Sequence, residues 1–112
     1  MARDPAVELA PLLHALADPT RLEVVRQLST GPRRAGELAA AAGVSPPAMS
    51  KHLRVLLEAG IVTDERPPED ARVRLFRLRP RSVVALRAWL DQLQALWDEQ
   101  LHSFKRHVEK RT

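Results

Sequence analysis

The chain has 112 residues and a net charge of +4, and its apolar (45%) and charged (29%) fractions are those of a globular protein, which excludes wholesale disorder. This length predicts one domain over residues 1–112. The absence of cysteine excludes disulfides and thiolate chemistry. Because no signal-peptide pattern or long apolar run is present, we expect a soluble, cytoplasmic protein.

Positive charge is concentrated in the middle of the chain. Residues 33–81 contain nine arginines and Lys51 against six acidic residues, whereas the flanking segments are nearly balanced. This distribution suggests a polyanionic partner, the alternative being a solvated surface of mixed sign.

Two helices are predicted at the start of the chain. "VELAPLLHALA" has apolar residues at helical spacing, with Pro11 tolerated near the helix start or at a kink. "DPTRLEVVRQL" predicts a second helix with Asp18 as N-cap and Pro19 at the first helical position. The residues predicted to face inward are Leu22, Val25 and Leu28.

A helix-turn-helix is predicted over about residues 34–59. "RAGELAAAAG" predicts a short third helix that Gly43 ends in a left-handed conformation. In the fourth helix Ser45 is the N-cap, and Pro46 and Pro47 take the first two positions, where amides have no intrahelical acceptor. Gly60 ends this helix. Its inward stripe is Met49, Leu53, Leu56 and Leu57.

A hairpin and a long helix follow. "IVTDER" and "ARVRLFRL" are strand-like, with the clearest alternation at Val73 and Leu75, and residues 67–70 (Pro-Pro-Glu-Asp) cannot continue a strand. They predict a two-stranded β-hairpin over about residues 61–78. Residues 80–110 predict a helix of roughly 45 Å.

In this order and spacing, "ALADPTRLEVVRQL", "GELAAAAGVSPPAMSKHLRVLLEAGIV" and "RVRLFRL" resemble the ArsR family of bacterial winged helix-turn-helix repressors. The resemblance covers about residues 8–80. It implies a mainly α (α+β) fold, a winged helix-turn-helix with the hairpin as its wing and a long C-terminal dimerisation helix. It also implies a dimeric, sequence-specific DNA-binding repressor, of a kind that often controls its own gene.

The outer face of the fourth helix is the predicted DNA-reading surface. With Met49 and Leu53 buried, a helix of this kind turns its opposite side toward the major groove. We expect Lys51 to bind guanine, Ser50 to bind a base edge and Arg54 to bind phosphate. His52 either contacts DNA or packs and hydrogen-bonds within the core. The alternative to a DNA-reading surface is an amphipathic helix with a solvated outer face. The predicted DNA-contacting residues here are Ser45, Pro47, Ala48, Ser50, Lys51, His52 and Arg54.

Further phosphate contacts are predicted outside this helix. Arg66, Arg72 and Arg74 flank the wing, although the acidic pair at residues 69–70 opposes DNA at its tip. Arg33 and Arg34 precede the third helix and are either phosphate contacts or a solvated basic pair.

Metal sensing is disfavoured. Metal-responsive ArsR proteins carry a Cys-x-Cys near the start of the third helix or paired ligands on the last one, whereas residues 34–37 here read Arg-Ala-Gly-Glu. His102 and His107 are about 140° apart on a helix, so they converge on one ion only if two subunits share it. We therefore expect no metal and no cofactor.

Rival functions remain at this point. A metal- or small-molecule-responsive regulator keeps the same fold, and a winged-helix protein-interaction module belongs to another class. An enzyme is disfavoured, because the sequence has neither a nucleophile–base pair in a recognisable context nor a glycine-rich phosphate loop.

The last helix predicts a homodimer, with an interface formed by this helix and the first one. Its apolar stripe runs beyond what one small domain needs, and aromatic residues are enriched at interface cores. Two-fold symmetry would set the recognition helices about 34–36 Å apart on a pseudo-palindromic operator. The alternative is that the stripe caps its own domain. The predicted interface residues are Leu86, Trp89, Leu90, Leu93, Trp97, Leu101 and Phe104.

Overall fold

The described part of the chain folds as five helices and three short strands. A computed structural model describes residues 5–111, with side chains for residues 9–110. The elements are α1 Pro5–Leu16, α2 Pro19–Leu28, β1 Arg33–Arg34, α3 Ala35–Ala42, α4 Pro46–Glu58, β2 Val62–Glu65, β3 Leu75–Leu78 and α5 Pro80–Arg111. The predicted mainly α winged helix-turn-helix with a long C-terminal helix is confirmed.

The first two helices agree with the sequence in outline and differ in detail. Pro11 lies in the interior of α1, with its ring exposed, and not near the helix start. Burial of Leu9, Leu12 and Ala15 against the core holds the helix together on both sides of the proline. Tertiary packing therefore offsets the local cost of about 3 kcal/mol that a proline imposes inside a helix.

The predicted inward face of α2 is wrong at one position. Leu28 is buried and Val25 packs against the core, but Leu22 is 52% exposed and Val24, at 1%, is buried. Val24 and Leu28 lie one turn apart on the same face, whereas Leu22 is about 200° around the helix from Val24. The predicted N-cap is confirmed, since the Asp18 carboxylate accepts from the backbone N–H groups of Thr20 (2.8 Å) and Arg21 (3.1 Å).

The turn between α3 and α4 forms as predicted. Gly43 has a φ of 68°, and its backbone N–H donates to the Ala40 carbonyl at 3.3 Å. Ser45 caps α4 by accepting from the Ala48 N–H at 3.3 Å, and Pro46 and Pro47 start the helix. The side chains of α4 that are fully buried, at most 3% exposed, are Met49, Leu53 and Leu56.

The sheet has one strand more than the predicted hairpin. All pairs are antiparallel in the order β1-β3-β2, with Arg33 opposite Phe76 and Arg34 opposite Leu75. β3 begins at Leu75, so Val73, which the alternation had assigned to the strand, lies in the loop. β1 therefore ties the entrance of α3 to the wing.

Only the first part of α5 packs against the core. From Leu90 to Lys110 every residue is exposed, while Trp89 packs against the core beside α1. The radius of gyration is 19.2 Å, against about 13 Å for a compact chain of this length. The helix therefore projects beyond the globular part. None of the helices within residues 5–111 is long and apolar enough to cross a membrane.

Candidate nucleic-acid interface

The outer face of α4 brings together most of the side chains that the sequence selected. Ser45, Pro47, Ser50, Lys51 and Arg54 are exposed. Within the described residues, Lys51 and Arg54 have no recorded ion pair or side-chain hydrogen bond, so both cations face solvent. Ala48, at the edge of this face, is half-buried.

His52 is the exception on α4, because one side of its ring faces α2. Its Nδ1 lies 3.2 Å from Nη1 of Arg21 and 3.8 Å from Oδ1 of Asp18. A guanidinium can only donate, so in this contact Nδ1 is the acceptor, and Nε2 is the ring nitrogen left to donate elsewhere. The inward contact therefore uses Nδ1, and any contact of His52 with DNA falls to Nε2.

Arg21 links three helices at this point. Its Nε donates to the Ala15 carbonyl near the end of α1, and its Nη1 donates to His52 on α4. Backbone hydrogen bonds from Arg21 and Thr20 lower the pKa of Asp18, and the nearby charge of Arg21 adds to this effect. The sequence indicated Asp18 as a cap, but the reach of Arg21 to the recognition helix carries no local sequence signal.

The wing arginines are largely engaged within the wing itself. Nε of Arg72 lies 3.1 Å from Oδ1 of Asp70, and Nε of Arg74 lies 2.6 Å from Oδ2 of Asp64. The hydrogen bond from Arg72 lowers the pKa of Asp70. Arg66 donates instead to the Ala71 carbonyl at 2.8 Å. Among the residues that the structure describes, Arg72 and Arg74 therefore have carboxylate partners, whereas none is recorded for Arg66.

The two arginines of β1 differ in their surroundings. Arg33 is half-buried, and its guanidinium donates to the Pro32 carbonyl and to Oγ1 of Thr30, each at 2.9 Å. Arg34 is exposed, and its positive charge contributes to the lowered pKa of Asp70. The strand thus brings the entrance of α3 close to the wing.

The apolar stripe of α5 lies open. Trp97 and Phe104 are 59% and 65% exposed, and at about 100° per residue they share one side of the helix with Leu90, Leu93 and Leu101. Leu86 and Trp89, which we predicted at the same interface, are half-buried. Trp89 packs against the core of its own protomer, so a dimer contact would use only its outer edge.

In the described part of the chain, the histidines of α5 do not belong to a cluster of potential metal ligands. His102 and His107 are both exposed. Across the part of the chain that the structure describes, no three histidine, cysteine, aspartate or glutamate side chains are grouped closely enough to hold a metal ion.

Sequence comparison places this arrangement among known regulators. The profile described as "Bacterial regulatory protein, arsR family" matches residues 18–64. The HTH-type transcriptional regulator Rv2034 of Mycobacterium tuberculosis is 41% identical over 95 residues, which cover 85% of this chain and 83% of that protein. The repressor SmtB of M. tuberculosis is 44% identical over 64 residues, 57% of this chain, and the match spans about half (47%) of that protein.

Solved structures agree with the sequence comparison. The crystal structure of an ArsR family transcriptional regulator is 35% identical, with a TM-score of 0.72, and the match covers 88% of this chain and 97% of that one. The homodimeric winged helix-turn-helix DNA-binding domain Mb0332 from Mycobacterium bovis is 27% identical, with a TM-score of 0.63, over 86% and 83% of the two chains. With its three-stranded sheet, its capped helix-turn-helix and these relatives, the chain belongs to the ArsR family of bacterial transcriptional regulators.

Proposed function

We propose that this protein is a homodimeric, sequence-specific DNA-binding repressor, active in the cytoplasm, that inserts α4 into the major groove of its operator. The observation that carries the proposal is the two-sided character of α4. Met49, Leu53 and Leu56 are at most 3% exposed, whereas the opposite face is polar and open to solvent. Such a helix is anchored by its core and offers a preformed reading surface.

The roles on α4 follow from chemistry and position. Lys51 donates to guanine O6 and N7, Ser50 binds a base edge, and Pro47 with Ala48 contacts a thymine methyl. Arg54, one turn further along, binds phosphate and fixes the register of the complex. Two further residues contribute from the edge of the face, namely Ser45 at the helix start and His52 through Nε2.

The wing and β1 supply phosphate contacts of unequal strength. Within the described residues, the guanidinium groups of Arg66 and Arg34 have no recorded hydrogen bond to a carboxylate, so they are the preferred contacts. Arg72 and Arg74 reach phosphate only by sharing or releasing Asp70 and Asp64, and Arg33 must leave its bond to Thr30.

The dimer forms through α5 and α1. The stripe from Leu90 to Phe104 leaves large apolar side chains in water, which monomeric proteins rarely do over a contiguous area. The related Mb0332 domain is described as homodimeric. Two-fold pairing sets two copies of α4 about 34–36 Å apart, matched to a pseudo-palindromic operator.

Repression follows from occupancy, because a dimer covering the operator excludes polymerase. The relative SmtB is named a repressor, which supports this direction of control. The proposal includes repression by this protein of its own gene.

The experiment is a selection of randomised duplexes with the purified protein, followed by affinity measurements across a salt series. We expect a two-fold symmetric motif with half-sites one helical turn apart, and an affinity that falls steeply with salt. Recovery of no enriched motif, or of a motif without symmetry, contradicts the proposal.

A further inference from the structure

A cavity of about 500 Å³ lies between α1, the end of α4 and the start of α5. Its walls are mainly apolar, formed by Leu9 and Leu12 of α1 and by Ala85, Ala88 and Trp89 of α5. The volume is in the range of pockets that hold small organic ligands, and Trp89 supplies a flat aromatic wall.

The charged side chains among the described lining residues of the cavity are all positive. Arg79 and Arg81 line it together with Gln92, and no acidic side chain is among its described lining residues. Neither guanidinium has a recorded carboxylate partner in the described region, whereas Arg72 and Arg74 are both paired. A cationic rim beside an apolar chamber is complementary to a ligand with an apolar body and an anionic head.

We propose that this cavity binds a small amphipathic carboxylate, such as a medium-chain alkyl carboxylate. The apolar body lies against Leu9, Leu12 and Trp89, and the carboxylate accepts from Arg79 and Arg81. Arginine is suited to this role because its planar N–H groups match the two oxygens of a carboxylate.

The position of the cavity couples such a ligand to the rest of the protein. The Arg79 N–H donates to the Ile61 carbonyl at 2.8 Å, and the Ser82 hydroxyl donates to the Gly60 carbonyl, so the rim is bonded to the segment that follows α4. The opposite wall is α1. A bound carboxylate therefore contacts α1 and α5, the two helices that form the proposed dimer interface. Its regulatory consequence is a change in operator affinity, and this consequence rests on the proposed function.

The binding test uses contact quenching of tryptophan fluorescence by ω-bromododecanoate. The chain has two tryptophans, so Trp97→Phe leaves Trp89 as the single reporter. We expect saturable quenching of Trp89 by the acid, and about tenfold weaker binding of the neutral ω-bromododecanol, because the alcohol cannot form the charged hydrogen bonds.

Variants assign the quenching to the cavity. Arg79→Gln with Arg81→Gln should weaken binding of the acid about tenfold and leave that of the alcohol unchanged. Arg87→Gln, an exposed arginine of α5 outside the cavity lining, is the matched control and should bind as the parent does. Ala88→Phe, which fills the chamber, should abolish quenching by both compounds.

Several results would overturn the site. Quenching that persists in Trp89→Phe and disappears in Trp97→Phe would put the acid on the open stripe of α5. Equal binding of acid and alcohol would remove the arginines from the recognition. No quenching in the dimeric protein would mean that the second protomer closes the cavity.

The regulatory part is measured separately, as operator affinity with and without the acid. We expect a change of about fivefold or more, within the usual range of allosteric coupling. An unchanged affinity in a protein that binds the acid overturns the regulation and leaves the site intact. If the duplex selection enriches no operator motif, the proposed function is refuted, whereas the quenching result still stands.

Discussion

At the scale of single residues, Lys51 and Arg54 stand one turn apart on α4, both exposed, yet they have different expected roles. Lys51→Ala should cost about 1–3 kcal/mol per half-site on the true operator and flatten the preference at one base position. Arg54→Ala should weaken binding to all sequences alike and reduce the salt slope by about one unit per half-site. Selections on randomised duplexes measure both. If Lys51→Ala keeps every base preference and Arg54→Ala loses one, the two roles are reversed.

Arg21 provides a second test at this scale, because its guanidinium bonds to Ala15 and His52 on two neighbouring helices. Arg21→Met should lower the free energy of unfolding by about 1.5–3 kcal/mol, the value of hydrogen bonds from a charged donor, and should also weaken operator binding by releasing His52. Denaturant unfolding and operator titration measure the two effects.

The control for Arg21 is Arg26→Met, on the same helix. Arg26 forms an exposed ion pair with Glu23 at 2.7 Å, so its loss should cost about 0–1 kcal/mol. The same Arg26–Glu23 hydrogen bond lowers the pKa of Glu23 to about 2. Equal destabilisation by the two substitutions would argue against a special role for Arg21.

At the scale of elements, α4 begins with two prolines in place of backbone donors. Pro46 and Pro47 occupy positions whose amides would lack an intrahelical acceptor, so Pro46→Ala and Pro47→Ala should both keep the fold. Each should lower the free energy of unfolding by about 0.4–1 kcal/mol, because alanine gives the unfolded chain more freedom. Circular dichroism and denaturant unfolding test this. Loss of helix in either variant would show that the prolines have another function.

How far the sequence predicts these elements depends on how local their signals are. The caps at Asp18, Ser45 and Gly43 are predictable because each is decided within four residues. β1 is not predictable, since two residues show no periodicity and its partner, β3, lies some forty positions away. The pairing between Arg74 and Asp64 depends on the same sheet.

The candidate site divides along the same line. The exposed face of α4 follows from helical geometry, so residues 47, 50, 51 and 54 could be selected from the sequence. The orientation of His52 could not, because it depends on how α2 crosses α4. The prediction that Leu22 faces inward is wrong for a related reason. Tertiary packing, and not helical spacing alone, decides which apolar residues of α2 face the core.

At the scale of the whole molecule, the open stripe of α5 should be covered by a second protomer. Trp97→Ala or Leu93→Ala should weaken self-association by roughly 2–4 kcal/mol, as expected for truncation of a buried anchor, and operator affinity should fall with it. Val84→Ala is the control, because Val84 is 66% exposed and lies away from the stripe. Sedimentation at micromolar concentration is the measurement. A Trp97→Ala protein that remains a dimer would place the interface elsewhere.

The ion pairs within the wing affect how such a dimer searches a chromosome. Arg72, Arg74 and Arg77 are held by Asp70, Asp64 and Glu65, so part of the positive charge seen in the sequence is already neutralised. Binding to random duplex is almost entirely electrostatic, and each neutralised arginine shortens the time spent on non-cognate sites. The dimer should therefore dissociate quickly from most of the genome, and its residence at the operator depends mainly on the base contacts of α4.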